Sequence, residues 1–167
     1  MSSNKIFDGK LIKLYQSDID LPNGRKGYFE HIKHPGTSLV VPFFKGKIVF
    51  IRQYRAVLGR YIWELPAGTL NPGESNYVCA KREVTEETGY KVSELRYLGE
   101  ICTAPGFCNE IIKIYRALCV EKSVNNLDAD ECIKVKLFTK SEIVKKFKNR
   151  KILDAKTISA LAMAGVL

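Results

Sequence analysis

The segment from Gly68 to Gly89 constrains this 167-residue chain more than any other. It runs Gly68-Thr-Leu-Asn-Pro-Gly-Glu74, then Ser75 to Lys81, then Arg82-Glu83-Val84-Thr85-Glu86-Glu87-Thr88-Gly89. Ser75 to Thr88 reads as a helix stopped by Gly89, which can take the left-handed conformation that ends helices. On that helix Glu83, Glu86 and Glu87 stand at i, i+3 and i+4 and share one face. Like charges so spaced repel by roughly 0.2–0.5 kcal/mol per pair. A solvated acidic face tolerates that cost. A hard divalent cation reverses its sign, because such ions take carboxylate oxygens together with substrate phosphates. Tyr77, Ala80 and Val84 form an apolar strip expected to anchor the helix on a sheet. Arg82 precedes Glu86 by one turn and can orient it. Gly68 opens a tight loop whose neighbouring carbonyls can face the same cation.

The flanking pattern is strand, helix, strand. Phe7 to Tyr15 and Gly27 to Lys33 read as strands separated by a turn at Leu21-Pro22-Asn23-Gly24. Ser38 to Phe44 and Lys47 to Tyr54 read as a hairpin turning near Lys45-Gly46, and Tyr61 to Leu65 as a short strand ending at Pro66. Leu95 to Thr103, Ile111 to Val120 and Ile133 to Thr139 are further expected strands. Lys140 to Phe147 and Asp154 to Met163 are expected helices, with Ser141 and Asp154 as N-caps. Strands, one helix, strands and two helices predict an α/β sandwich with a mixed sheet between helices.

Composition narrows the function classes. Hydrophobic content of 46% and charged content of 27% are those of a globular domain, and the length suits one domain. No apolar run approaches the roughly 18–20 residues of a membrane span. Met1 to Lys10 has no apolar signal core, so a cytoplasmic location is expected. The five cysteines include no C-x-x-C pair, which argues against a zinc site. The net charge of +9 comes from lysines spread along the chain, dense only from Lys145 to Lys151. That distribution suits a solvated surface, or a field drawing in a polyanionic substrate, better than a nucleic-acid interface.

The spacing of Gly68, Glu74, Arg82, Glu83, Val84, Glu86, Glu87 and Gly89 resembles the Nudix box at eight positions, with Tyr90 where the family usually has an aliphatic residue. Gln53-Tyr54-Arg55, Trp63-Glu64-Leu65-Pro66-Ala67-Gly68 and Ala104-Pro105-Gly106-Phe107 are similar to the family's ADP-ribose and nucleotide-sugar pyrophosphatase branch. So is Pro105, sixteen residues beyond Gly89. The resemblance covers nearly the whole chain. It implies an α/β/α sandwich with a catalytic loop-helix-loop, residues 1–167 forming one domain: a core from 34 to 167 and N-terminal strands, 1 to 33, in dimer contacts.

What the resemblance implies for the site is specific. Metal ligands are Glu83, Glu87 and the carbonyl of Ala67, holding Mg²⁺ or Mn²⁺, with Glu86 and Arg82 assisting. Arg55 touches the phosphates, Glu64 and Pro105 line the substrate site, and Glu110 contacts the terminal ribose side. The general base comes from the loop Asp128-Ala129-Asp130-Glu131, with Glu131 the choice and Asp128, Asp130 and Glu110 the rivals. Tyr28 and Phe7 clamp the nucleobase, completed by a second subunit; core or interface packing is the other reading of both. The implied reaction cleaves ADP-ribose to AMP and ribose 5-phosphate. A GDP-mannose or other nucleoside diphosphate sugar pyrophosphatase is the alternative. A non-catalytic ADP-ribose-binding module is disfavoured by the complete glutamate set, and no membrane or nucleic-acid partner is expected.

Overall fold

A computed structural model describes residues 2–10, 12–122 and 133–167. Among the described residues, ten strands form two sheets. The first is an antiparallel meander of β1 (Ser2–Asp8), β2 (Lys13–Asp20) and β3 (Lys26–Ile32). The strand expected over 7–15 is therefore two strands. Asp8-Gly9 starts a reversal closed by the Gly9 N–H on the Ile12 carbonyl at 2.9 Å, and an Asp-Gly dipeptide commonly marks a turn. The turn expected at Leu21 to Gly24 is present, with a Gly24 N–H···O=C Leu21 bond of 2.9 Å.

The second sheet is mixed and seven-stranded. Its spine runs β10 (Ile133–Phe138), β5 (Lys47–Arg55), β4 (Thr37–Phe44), β9 (Ile111–Lys122), β8 (Tyr90–Cys102). β6 (Arg60–Glu64) pairs with β5, and β7 (Ala67–Thr69) with β4. Among the described residues, only β4 and β9 run parallel on this sheet. β4 is buried on both faces, as a central strand must be. Leu39 and Val41 project to one side with Ile48, Phe50, Ile112 and Ile114, meeting Ile143 of α2 (Lys140–Lys148) and Ala160 and Leu161 of α3 (Ala155–Met163). Val40 projects to the other with Val49, Tyr115 and Ala117, meeting Ala80 and Val84 of α1 (Asn76–Thr88). Burying each such aliphatic side chain is worth about 1.5–3 kcal/mol. The result is the α/β/α sandwich.

Several boundaries differ from the sequence reading. β8 starts at Tyr90 rather than Leu95, and β7 was not anticipated. The cap of α2 is Thr139, not Ser141: Thr139 Oγ1 accepts from Glu142 N while the Glu142 carboxylate accepts from Thr139 N at 2.7 Å. Thr-x-x-Glu is the capping-box pattern, and it outcompetes a serine two residues later. Asp154 caps α3 as expected, accepting from Thr157 N at 3.0 Å. Tyr77 is exposed and does not anchor α1; Cys79 and Thr88 join Ala80 and Val84 on the buried face. Cys79 and Cys119 are buried free thiols, whereas Cys102 is exposed. Among the described residues no helix is long and apolar enough to cross a membrane.

Candidate active site

Ser75 caps α1 through Val78 N, and Gly89 ends it at φ 75° with its N–H on the Thr85 carbonyl. Between these caps the helix turns Glu83 and Glu87 inward, 9% and 3% exposed, while the Glu86 side chain stays near the surface. Two carboxylates buried one turn apart face β7. The Ala67 N–H donates to Glu87 Oε2 at 3.1 Å. Register holds β7 in place, since Leu39 pairs Ala67 and Ser38 pairs Gly68. Gly68 is where the glutamate meets the strand: a Cβ there would lie 1.8 Å from Glu83 Oε1. The glycine is required by this close approach.

Arg82 ties the loop to the helix. Its Nε and Nη2 grip Glu74 at 2.8 and 2.9 Å, and its Nη1 donates to Glu83 Oε1 at 2.6 Å and Glu86 Oε2 at 2.9 Å. Nη2 also reaches the Thr69 carbonyl at 3.3 Å. A planar guanidinium can bridge three carboxylates in this way where an ammonium cannot. The Arg82 hydrogen bonds, helped by the Asn71 N–H, hold the Glu74 carboxyl down at about 2, and the same carboxylates raise the Arg82 pKa further. Arg82 bridges Glu74, Glu83 and Glu86, and with Glu87 one turn beyond Glu83 the carboxylates lie close enough together to suit a cation. Among the described residues no three His, Cys, Asp or Glu side chains already converge on one point. The donor set nonetheless fits a hard ion: buried carboxylate oxygens on both sides of a close backbone segment.

A second charged group lies at the end of β6. Arg55 Nε and Nη2 donate to the two oxygens of Glu64 at 2.6 and 2.7 Å. Lys156, from α3, donates to the same carboxylate and to Asp154 Oδ1 at 2.9 Å. Burial pushes Glu64 upward, but the Arg55 hydrogen bond and the Lys156 charge outweigh it and leave the carboxyl below its ordinary range. The bond to Glu64 raises Arg55, and Glu87 contributes to the same field, so this group and the carboxylate helix act on each other. Lys156 was not anticipated: nothing local in the sequence marks a lysine 92 positions from its partner.

The expected substrate loop lies on β3. The turn at Pro105 closes with Phe107 N–H and Cys108 N–H on the Ala104 carbonyl, and Ile32 N–H donates to the Phe107 carbonyl at 2.7 Å. Beside it is a cavity of about 230 Å³ lined by Phe29, His31, Pro105 and Phe107, among others. Glu110 accepts from Thr37 Oγ1 at 2.6 Å and Thr103 Oγ1 at 2.7 Å, with His34 Nδ1 3.7 Å away. Tyr28 and Phe7 are 61% and 57% exposed on the three-stranded sheet. Neither is a core residue, and both are on a different sheet from the one that α1 packs against. Glu131, Asp128 and Asp130 lie outside the described residues.

A buried glutamate pair, a glycine cradle and a guanidinium clamp on an α/β/α sandwich define a Nudix protein, and a sequence model described as NUDIX domain matches residues 33–161; the chain belongs to that family. It is 39% identical to an ADP-ribose pyrophosphatase of Bacillus subtilis (strain 168), over 96% of this chain and 89% of the relative. It is 38% identical, over the same shares, to a methanol dehydrogenase activator of Bacillus methanolicus. A crystal structure of an ADP compounds hydrolase superposes with a TM-score of 0.84 at 22% identity, covering 98% of this chain and 90% of that one. That last likeness concerns the fold.

Proposed function

We propose that the chain is a Mg²⁺-dependent hydrolase that cleaves the diphosphate of ADP-ribose, giving AMP and ribose 5-phosphate. The observation that carries this reading is the complete glutamate set: Glu83 and Glu87 buried against Ala67 and Gly68, with Arg82 on Glu83 and Glu86. A module that only bound nucleotides would have no use for so costly a cluster. The relatives named ADP-ribose pyrophosphatase support the substrate class.

Glu83, Glu87 and the Ala67 carbonyl would hold the cation, which when bound neutralises charge on the diphosphate and activates water. The chain's own groups supply the rest. Arg82 fixes Glu83 and Glu86 in place before substrate arrives, so no reorganisation is needed in the reaction. Arg55, two-fifths exposed, keeps donors beyond those spent on Glu64 and can bind phosphate oxygens in the plane of its fork. Glu110, fixed by two threonines, can accept hydrogen bonds from ribose hydroxyls. Glu131 is proposed as general base on resemblance.

The exposed Tyr28 and Phe7 support a homodimer in which residues 1–33 of one protomer reach the partner's nucleobase site, with the whole chain acting as one domain. A C₂ dimer is the commonest soluble assembly. Free thiols among the described cysteines suit the cytosol. The deciding experiment is a panel of nucleoside diphosphate sugars, dinucleotides and triphosphates with Mg²⁺, the products identified. Preferred turnover of GDP-mannose would shift the substrate within the same class. Turnover of triphosphates alone would reject the reading.

A further inference from the structure

Glu64 is 1% exposed, and a carboxylate so deep needs full compensation. Arg55 alone could supply it with its two hydrogen bonds. A guanidinium closed on one carboxylate, however, is neutralised, and it faces further anions here, since Asp154 and Glu87 also act on Arg55. Lys156 changes that balance. Its ammonium donates both to Glu64 Oε2 and to Asp154 Oδ1, so a second cation offsets two of the anions around Arg55. The Lys156 side chain is 18% exposed, whereas that of Arg55 is 40% exposed. The lysine sits inside and the arginine keeps an open edge. The lysine is itself held in place: Asp154 is the N-cap of α3 through Thr157 N, and Thr157 Oγ1 accepts the Leu65 N–H at 3.0 Å. The first turn of α3 thus grips the chain on both sides of the Glu64–Leu65 peptide.

We propose that Lys156 is a positioning residue for the diphosphate: by offsetting the charges of Glu64 and Asp154, it leaves the charge of Arg55 available to the substrate phosphates. This inference rests on the diphosphate-cleaving reading above. Lys156 acts before chemistry, on binding, so its removal raises KM and leaves kcat nearly unchanged.

The test uses the full chain with Lys156→Met and Lys156→Arg. Steady-state kinetics with ADP-ribose and Mg²⁺ are paired with calorimetric binding of ADP-ribose in EDTA, which does not depend on turnover. The expected result for Lys156→Met is a KM and a metal-free Kd raised by about ten-fold or more, with kcat within about three-fold. Lys156→Arg, which keeps the charge, is expected to return both close to wild type. Should Lys156→Met fail to fold, Lys156→Gln keeps a donor to Glu64 without the charge and is measured in its place. Unchanged KM and Kd overturn the inference, as does a fall in kcat alone, or a failure of arginine to rescue. Failure of the functional reading is distinguishable, because the wild-type chain itself would then neither bind nor cleave the substrate.

Discussion

Substituting Gly68 by alanine puts a methyl group 1.8 Å from Glu83 Oε1, 2.0 Å from Cδ and 2.5 Å from Oε2. Comfortable contact needs about 3.5–4.0 Å, so one side must retreat by about 1.5–2 Å. The strand is held by the Ser38–Gly68 and Leu39–Ala67 pairings. The glutamate is the long, jointed partner, and its carboxylate moves, breaking the 2.6 Å bond from Arg82. The fold loses little: overpacking of this kind costs about 1–3 kcal/mol, with each kcal/mol lowering Tm by about 2–4 °C in a chain of this size. Function loses much, because a misplacement of about 1 Å at a reacting centre can cost about 100-fold. The expected outcome for Gly68→Ala is a kcat at least about 100-fold lower with a Tm only a few degrees lower. Adding Glu83→Gln to that variant should then cost little more, since the two changes remove the same ligand. Turnover within about five-fold of wild type, or full additivity in the double variant, would refute the reasoning.

Glu83→Gln or Glu87→Gln should lower kcat strongly at saturating Mg²⁺ while circular dichroism shows an intact fold; near-wild-type turnover of both would remove the basis for a metal site. The Glu74 carboxyl, lowered from 4.5 to about 2 by Arg82, contributes stability that is full above pH 4.5 and lost as pH falls through about 2. Thermal melts between those pH values should therefore decline more steeply for wild type than for Glu74→Gln, and parallel declines would count against the clamp. Thr139→Ala should cost about 0.5–2 kcal/mol by removing the α2 cap, with turnover unchanged; Ser141→Ala should cost less. A larger loss from Ser141→Ala than from Thr139→Ala in denaturant unfolding would return the cap to Ser141.

What was legible in the sequence was mostly local and periodic. The Gly68 to Gly89 spacing gave the helix, its stop at Gly89 and the shared face of its glutamates, because each position has a direct backbone or charge consequence; that Ser75 is the N-cap and that Glu86 stays near the surface came from the structure. The short apolar run from Ser38 to Phe44 marked a strand, and the order of elements gave the sandwich. Errors arose where two local signals competed. Thr139 and Ser141 are both good caps, and only the reciprocal bond from Glu142 separates them. Asp8-Gly9 is a turn signal that strand propensity on either side obscured. Tyr77 lies at helical spacing from Ala80 and Val84, yet its ring stays at the surface under Lys81. The Glu64–Lys156 contact was beyond reach for another reason: it joins β6 to α3 across the tertiary fold, and lysine is too common on this chain for one to stand out.

The central claim is that this site breaks a nucleoside diphosphate sugar between its phosphorus atoms with the help of a divalent ion. The most direct measurement is product analysis of ADP-ribose incubated with the purified chain, with Mg²⁺ and with EDTA, run beside Glu87→Gln. The expected result is AMP and ribose 5-phosphate in equal amounts, formed only with the metal and strongly reduced in the variant. Binding of ADP-ribose without cleavage, or cleavage that persists in EDTA, would contradict the account.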